Sequence, residues 1–340
     1  MNDKYERYSR QMLFAPIGAA GQERLAQSRV LIVGMGALGT VLAGHLVRSG
    51  VGLVRFADRD YVELSNLQRQ MLYDEEDARQ GYPKAAAAER KLRAINSDVR
   101  LEPVVADVTA GNVERLLDGI DLVADGTDNF TTRFLLNDAC FKKGIPFVYG
   151  GAVSSRGMSA IFVPGRTPCL RCLLEHEDGS AGQTCDTIGV ISPVVDMVAS
   201  YQAVEAIKYL VGASDAQRRS LVTMDVWRTY YYEMKFPAPR HDCPTCGLGQ
   251  YPALQVDGRN TATTLCGRET VQIHERSSLD LAEWRDRLAP AAAVSLNPFL
   301  LRAQLPEGER LVLFSDGRVL VQGTDDVVRA RTIYARYIGH

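Results

Sequence analysis

A chain of 340 residues with 39 Lys plus Arg against 41 Asp plus Glu carries a net charge of −2, with no basic surplus for gripping a nucleic-acid polymer. Its most apolar stretch, residues 188–212, is interrupted by Pro193, Asp196, Glu205 and Lys208, which argues against a membrane span there. Seven cysteines, an odd number with two Cys-x-x-Cys pairs behind an opening that does not read as a signal peptide, favour metal and thiol chemistry in a reducing cytoplasm over disulfides.

In chain order, residues 5–14 are polar and contain Arg7 and Arg10, which by composition alone read as solvated. A short helix is expected over residues 21–27. The apolar run Val30 to Val33 then reads as a central parallel strand, followed by Gly34, Gly36 and Gly39 at the spacing G-x-G-x-x-G and a helix over residues 38–48. Gly34 permits the tight turn, Gly36 removes the side chain that would block a phosphate or sugar, and Gly39 lets helix and strand pack closely. The helix N-terminus offers N–H groups to an anion. Asp58 ends the next strand, 22 residues beyond Gly36, where a ribose hydroxyl acceptor is expected. At this point a dinucleotide such as NAD fits as well as ATP, and glycines so arranged can also be plain strand–helix packing.

Residues 61–70 are too polar for a strand and read as a loop over the carboxyl edge of the sheet, where open α/β sheets bind ligands. Asn66, Gln68 and Arg69 are thereby placed to meet whatever the glycine turn holds. Lys84, after Pro83, falls on the first turn of an alanine-rich helix, where a cation opposes the helix dipole unless an anion lies between. A strand over residues 100–105, a helix over 109–118 and a strand over 120–124 lead to Asp125-Gly126-Thr127-Asp128-Asn129. Asp128 suits a Mg²⁺ ligand beside a polyphosphate. The competing reading is an N-cap, served by Thr127 or Asp128, for a helix over residues 130–141. A NAD enzyme has no need of Arg69, Lys84 and Asp128 together, whereas a site for ATP with Mg²⁺ does.

Cys169-Leu170-Arg171-Cys172 and Cys243-Pro244-Thr245-Cys246 supply four thiolates, the complement of a closed, structural Zn²⁺ site. Between them, residues 175–191 read as a polar crossover loop carrying a spare thiol, Cys185, either a reactive group or an inert small residue. A helix over residues 193–211 and two strands follow. Past Gly249 the chain changes character, with an Asp316-Gly317 hairpin turn and a last helix over residues 325–337. The expectation is a main domain of residues 1–248 and an α+β domain of residues 249–340.

Taken together, Arg10, the glycine turn, Asp58, Ser65-Asn66-Leu67-Gln68-Arg69, Lys84, Thr127-Asp128-Asn129 and the cysteine pairs resemble the ThiF/MoeB adenylyltransferases, relatives of the ubiquitin-activating enzymes. The resemblance runs from about Tyr8 to Gly247 and implies an α/β fold: a Rossmann-like, mostly parallel sheet with flanking helices, plus the small C-terminal domain. It implies adenylation, with ATP and Mg²⁺, of the Gly-Gly carboxylate of a ubiquitin-like sulfur carrier. By it, Gly34, Gly36, Ala37, Gly39, Ser65, Gln68 and Asn129 line the nucleotide, and Asp58 takes the ribose. Asn66, Arg69 and Lys84 contact phosphates, and Asp128 holds Mg²⁺. Arg10 would reach the ATP of the partner in a homodimer. Ala37 departs from the glycine of many relatives by one methyl group. The loop around Cys185 looks closer to ThiF than to MoeB, which points to a thiamine-pathway carrier, with a molybdopterin-pathway carrier as the alternative and a persulfide as sulfur donor. Readings of another class are a NAD-dependent oxidoreductase and a noncatalytic zinc module that binds a ubiquitin-like protein.

Overall fold

The computed structural model describes residues 3–174, 188–255, 262–265, 269–274 and 278–339. The chain divides into two compact units, Met1–Val256 and Asp257–His340.

The first unit is built on an eight-stranded sheet of order β3-β2-β1-β4-β5-β6-β7-β8. Its strands are β1 (Arg29–Val33), β2 (Leu53–Asp58), β3 (Arg100–Val105), β4 (Leu122–Asp125), β5 (Phe147–Val153), β6 (Arg156–Phe162), β7 (Ser220–Asp225) and β8 (Tyr230–Lys235). The pairs from β3 to β5 are parallel, and those from β5 to β8 antiparallel. The run Val30 to Val33 is buried on both faces, as a continuous apolar strand in a parallel sheet must be. Its alternate residues feed different cores. Val30 and Ile32 pack beneath α1 (Ala37–Arg48), α2 (Lys84–Ile95) and α4 (Ser192–Leu210), whereas Leu31 and Val33 pack with Phe134, Leu135 and Leu136 of α3 (Phe130–Lys143). The chain runs outward from β1 to β3 and returns to β4 on the other side of β1. The carboxyl ends of β1 and β4 therefore flank a topological switch point, where such sheets open a crevice.

Several boundaries differ from the sequence reading. The helix expected over residues 109–118 shrinks to Val113–Leu116, because the Asn112 side chain accepts from the Thr109 amide and closes a turn before it. The segment after Gly249 does not leave the first unit at once. Pro252–Leu254 forms a 3₁₀ turn, and the Ala253 amide donates to Asp138 of α3.

The second unit is an antiparallel sheet of order β11-β12-β13-β14-β10-β9, comprising β9 (Ala262–Leu265), β10 (Thr270–His274), β11 (Ala293–Leu296), β12 (Leu300–Gln304), β13 (Arg310–Phe314) and β14 (Arg318–Gln322). Helices α5 (Leu281–Leu288) and α6 (Val327–Tyr337) share its core, in which Trp284, Leu288, Ala330 and Tyr334 meet alternate strand residues such as Leu311, Leu313, Val319 and Val321. The hairpin predicted from Asp316-Gly317 is present, with Leu313 opposite Val319 and Gly317 at φ 90°.

Candidate active site

The glycine turn leaves β1 with Gly34 at φ 88°, a left-handed conformation that disfavours any side chain, and a Cβ there would lie 2.6 Å from the Gly126 carbonyl oxygen. At Gly39 a Cβ would stand 1.8 Å from the Gly34 carbonyl oxygen, so helix α1 docks on its strand only without one. Gly36 is different. A Cβ there would meet nothing closer than Gln70 Nε2 at 3.8 Å, which leaves its face open. Gly36 also caps α1 without a side-chain bond, so the positive end of that helix faces this opening.

A closed circuit of hydrogen bonds fixes this turn to its surroundings. Asp58 accepts from the Met35 amide at 2.6 Å and from the Asp60 amide at 2.7 Å. Lys84, itself buried, places Nζ 3.1 Å from the Asp60 carboxylate and donates its amide to the Asp60 carbonyl at 2.9 Å. The Tyr73 hydroxyl closes the ring between the carbonyls of Met35 (2.8 Å) and Lys84 (3.1 Å). Burial, then the carboxylates of Asp58, Asp77 and Asp60, push the Tyr73 pKa well up, so the hydroxyl remains a donor. Burial also raises Asp58 from its ordinary value, helped by Asp60, while Lys84 and the two amides pull the other way. The anion that the dipole argument demands beside Lys84 is thus the protein's own Asp60.

Arg59 adds a second cation. Burial works against its charge, but the carboxylates of Asp107, Asp60, Asp128 and Asp58 outweigh that and raise its pKa. Asp128, exposed after β4, is thus one of the carboxylates whose charge Arg59 feels. Four carboxylates against the two cations Arg59 and Lys84 leave a formal surplus of negative charge, a setting that suits a hard divalent cation bridging to phosphate.

The loop bearing Asp128 rests on a buried ion pair. Asp125 accepts from Arg133 Nε at 3.1 Å and from the amide and hydroxyl of Thr127 at 2.9 and 2.6 Å, and Arg133 Nη2 donates to the Thr127 and Gly150 carbonyls at 2.8 and 3.2 Å. Thr127 is therefore occupied, and the cap of α3 is Asn129, whose side chain accepts from the Thr132 amide at 2.9 Å. The reading of Thr127 or Asp128 as that cap is corrected, since Asp128 is exposed and Asn129 takes the role.

Cys169, Cys172, Cys243 and Cys246 converge, their sulfurs all within 4.8 Å of one another. A tetrahedral ion with metal–sulfur bonds near 2.3 Å needs sulfurs roughly 3.8 Å apart, so the donor set fits Zn²⁺. Burial and the neighbouring Cys172 push the Cys246 thiol up to about 12, so a bound cation would have to displace its proton. Behind both knuckles sits the fully buried Asp138 of α3, which accepts from Arg171, the Thr245 hydroxyl and the Ala253 amide, while Asn137 accepts from the Leu170 amide.

Of the residues singled out from sequence, Gly34, Gly36, Ala37, Gly39, Asp58, Lys84 and Asp128 gather at the switch point. Asn66 is buried and accepts from the Glu63 amide at 3.1 Å. Arg69 donates to the Ser65 carbonyl at 3.0 Å, and Gln68 is exposed. Arg10 is exposed on the short helix Ser9–Met12. Cys185 lies outside the described residues. Sequence reasoning missed Arg59, Asp60, Gln70, Tyr73, Arg133 and Asp138. Asp60 and Arg59 adjoin a singled-out aspartate, which is a weak signal, and the others carry none.

Among the described residues no helix is long and apolar enough to cross a membrane. The chain is 48% identical over 339 residues to the sulfur carrier protein ThiS adenylyltransferase of Bacillus subtilis, spanning 98% of this chain and 99% of that one. It is 38% identical over 242 residues to the molybdopterin-synthase adenylyltransferase of Escherichia coli, spanning 71% of this chain and 96% of the relative. The fold matches a crystal structure of E. coli MccB with a TM-score of 0.64 at 22% identity, over 72% of this chain and 75% of that one. Residues 8–245 match the ThiF family, and with these relatives they establish that the chain belongs to it.

Proposed function

We propose that the chain adenylates the C-terminal carboxylate of a small sulfur carrier protein of the ThiS type. The observation that carries this reading is the near full-length similarity to a ThiS adenylyltransferase, supported by a hydrogen-bonded circuit that ties the glycine turn to Asp58, Asp60 and Lys84. The second unit favours the ThiS-type carrier over a molybdopterin-pathway one. It is shared with the B. subtilis relative, whereas the E. coli molybdopterin relative is spanned almost whole by only 71% of this chain.

In the reaction a carrier carboxylate oxygen attacks the α-phosphorus of ATP, the bond from that phosphorus to the bridging oxygen breaks, and pyrophosphate leaves with the electron pair. No protein nucleophile is required, because the carboxylate is ionised at neutral pH. The enzyme's task is to align two anions and screen the charge that builds on the phosphates. Asp58 would accept from the ribose, while Asn66, Arg69 and Lys84 would hold the phosphates and Arg10 of a second protomer would complete the screen. Mg²⁺ held by Asp128 would neutralise phosphate charge. Zn²⁺ on the four cysteines would be structural, since they leave no open coordination position. Cys185 is the proposed relay for sulfur arriving later from a persulfide donor.

Carrier-dependent exchange of labelled pyrophosphate into ATP tests the reading directly. Asp128→Ala and Arg69→Ala should each reduce exchange about 100-fold or more with the fold intact. No exchange with any Gly-Gly carrier, together with tight NADH binding, would replace the proposal with a nicotinamide enzyme.

A further inference from the structure

We infer that Cys172 and Cys246 form a site of reversible oxidation, at which a small peroxide turns the two thiolates into a disulfide and frees the ion that the four cysteines hold. The inference rests on the reading of the cluster as a zinc site. Beyond that reading it stands on the unequal surroundings of the four sulfurs. Cys169, Cys172 and Cys243 are buried, whereas Cys246 is only partly so. A surface cavity of about 390 Å³, lined by Phe141, Pro164, Leu248 and Tyr251, reaches Cys246 and none of the other three. Cys172 Sγ lies 3.3 Å from Cys246 Sγ, while the sulfurs of Cys169 and Cys243 face each other at 3.5 Å with neither on the cavity.

Held as metal ligands, all four thiols are thiolates, and an accessible thiolate is the form that a peroxide oxidises. The Cys246 thiolate attacks one oxygen of hydrogen peroxide: an S–O bond forms, the O–O bond breaks, and hydroxide leaves and takes up a proton. The Cys172 thiolate then attacks the Cys246 sulfur, an S–S bond forms, the S–O bond breaks, and a second hydroxide leaves to become water. The two sulfurs together lose two electrons, and the peroxide is reduced to two waters. Closing the sulfurs from 3.3 Å to a disulfide bond length needs a shift of about 1.3 Å. Asp138 keeps the two sulfurs opposed while this happens, because it accepts from Arg171 and Thr245, the chain neighbours of Cys172 and Cys246. With two of its four ligands gone, a tetrahedral ion is left half-coordinated and dissociates. The new bond joins the same two segments that the ion joined, so the fastening survives the loss of metal.

The test treats the zinc-loaded, full-length protein with hydrogen peroxide, follows zinc release with a chromophoric chelator and maps the cysteines by peptide mass spectrometry. Zinc should leave in step with formation of a Cys172–Cys246 disulfide, with Cys169 and Cys243 still open to alkylation after denaturation. Adding a thiol reductant and zinc should restore both the thiols and the metal. Leu248 lines the cavity and is exposed, so its replacement leaves the core and every ligand in place. Leu248→Trp, which narrows the cavity, should slow zinc release severalfold, and Leu248→Ala should not slow it. Zinc retained while other cysteines oxidise, a first disulfide between Cys169 and Cys243 or within either Cys-x-x-Cys pair, or equal rates in the two Leu248 variants would overturn the site. Absence of zinc from the untreated protein would instead overturn the metal reading, and the disulfide map alone would then decide the oxidation site, so the two failures are distinguishable.

Discussion

The opening over Gly36 and the four-cysteine cluster are both built on the first unit, yet they follow opposite rules. Around Gly36 the backbone is crowded on every side but one: Gly34, Gly39 and Gly126 exclude a Cβ at 2.6, 1.8 and 2.3 Å, and the remaining side is left clear for a ligand. Around the cysteines three of four side chains are buried and the sulfurs face one another, so an ion would complete the structure. One region is rigid in order to stay open, and the other is closed in order to hold two distant chain segments together.

That contrast is sharpest in two glycine variants. Alanine normally gains about 1 kcal/mol over glycine inside a helix. Gly39→Ala should nevertheless lose about 4 kcal/mol or more, because its Cβ cannot coexist with the Gly34 carbonyl. Gly36→Ala, whose Cβ meets no protein atom within 3.8 Å, should unfold in urea within about 0.5 kcal/mol of wild type while losing ATP binding at least about tenfold. Equal destabilisation by both would mean that Gly36 is a packing residue.

On the closed side, Asp138→Ala should cost about 3 kcal/mol, since it strands the half-buried Arg171 and frees the Thr245 hydroxyl and Ala253 amide. Metal analysis should then find zinc lost to a chelator that leaves the wild type loaded, with ATP binding retained. If instead ATP binding failed first, the two regions would be less separate than their construction implies.

A smaller effect, about 1 kcal/mol, is expected for Tyr73→Phe, which removes only the hydroxyl that ties Met35 to Lys84. Pyrophosphate exchange should show a severalfold rise in the ATP KM, with no change in zinc content. The smallest effect belongs to Asp74. Its hydrogen bonds to Lys91 and to the Asp77 amide lower its pKa to about 2 in the folded protein, against about 3.9 for a free aspartate. The folded value is depressed, so the stabilisation is complete above about pH 4 and is lost as the pH falls toward 2. Asp74 is half exposed, and solvent screening keeps the contribution below about 1 kcal/mol. Urea melts of wild type and Asp74→Ala should therefore differ slightly at pH 7, by about half as much near pH 3, and converge only at about pH 2 and below.

What was legible in the sequence follows the same division between local and distant. Val30 to Gly39 announce themselves because strand, turn and helix are contiguous, and the cysteine pairs because their internal spacing of two is a metal-binding rule. The α/β sheet with its flanking helices and the α+β character of the second unit were readable for similar reasons, as periodic runs and one Asp-Gly turn, whereas the antiparallel order of its six strands was not. The groups that make these features work are held by contacts between positions with no fixed separation. Asp60 meets Lys84 across 24 positions, Tyr73 meets Met35 across 38, and Thr245 meets Asp138 across 107. A tyrosine or aspartate at such a distance has no periodicity to betray it. The cap of α3 was misassigned to Thr127 or Asp128 for a smaller reason: three consecutive residues can all cap a helix, and the buried demand of Asp125 on Thr127 helps decide among them.

The cysteine pairs also constrain the order in which the protein can be made. Cys169 and Cys243 stand 74 residues apart, as do Cys172 and Cys246, with β7 and β8 between them. At about 5–20 residues per second, a ribosome extends the chain for roughly 4 to 15 seconds after the first pair appears before the second is complete. Strands β1 to β6 precede the first pair, so the parallel core can assemble while the cluster is still half a site. During that interval Cys169 and Cys172 are a nascent dithiol with no partners. A metal bound there would then be a late fastening of a sheet already formed, and thiol labelling of stalled nascent chains should find the first pair reactive until Cys246 has cleared the exit tunnel.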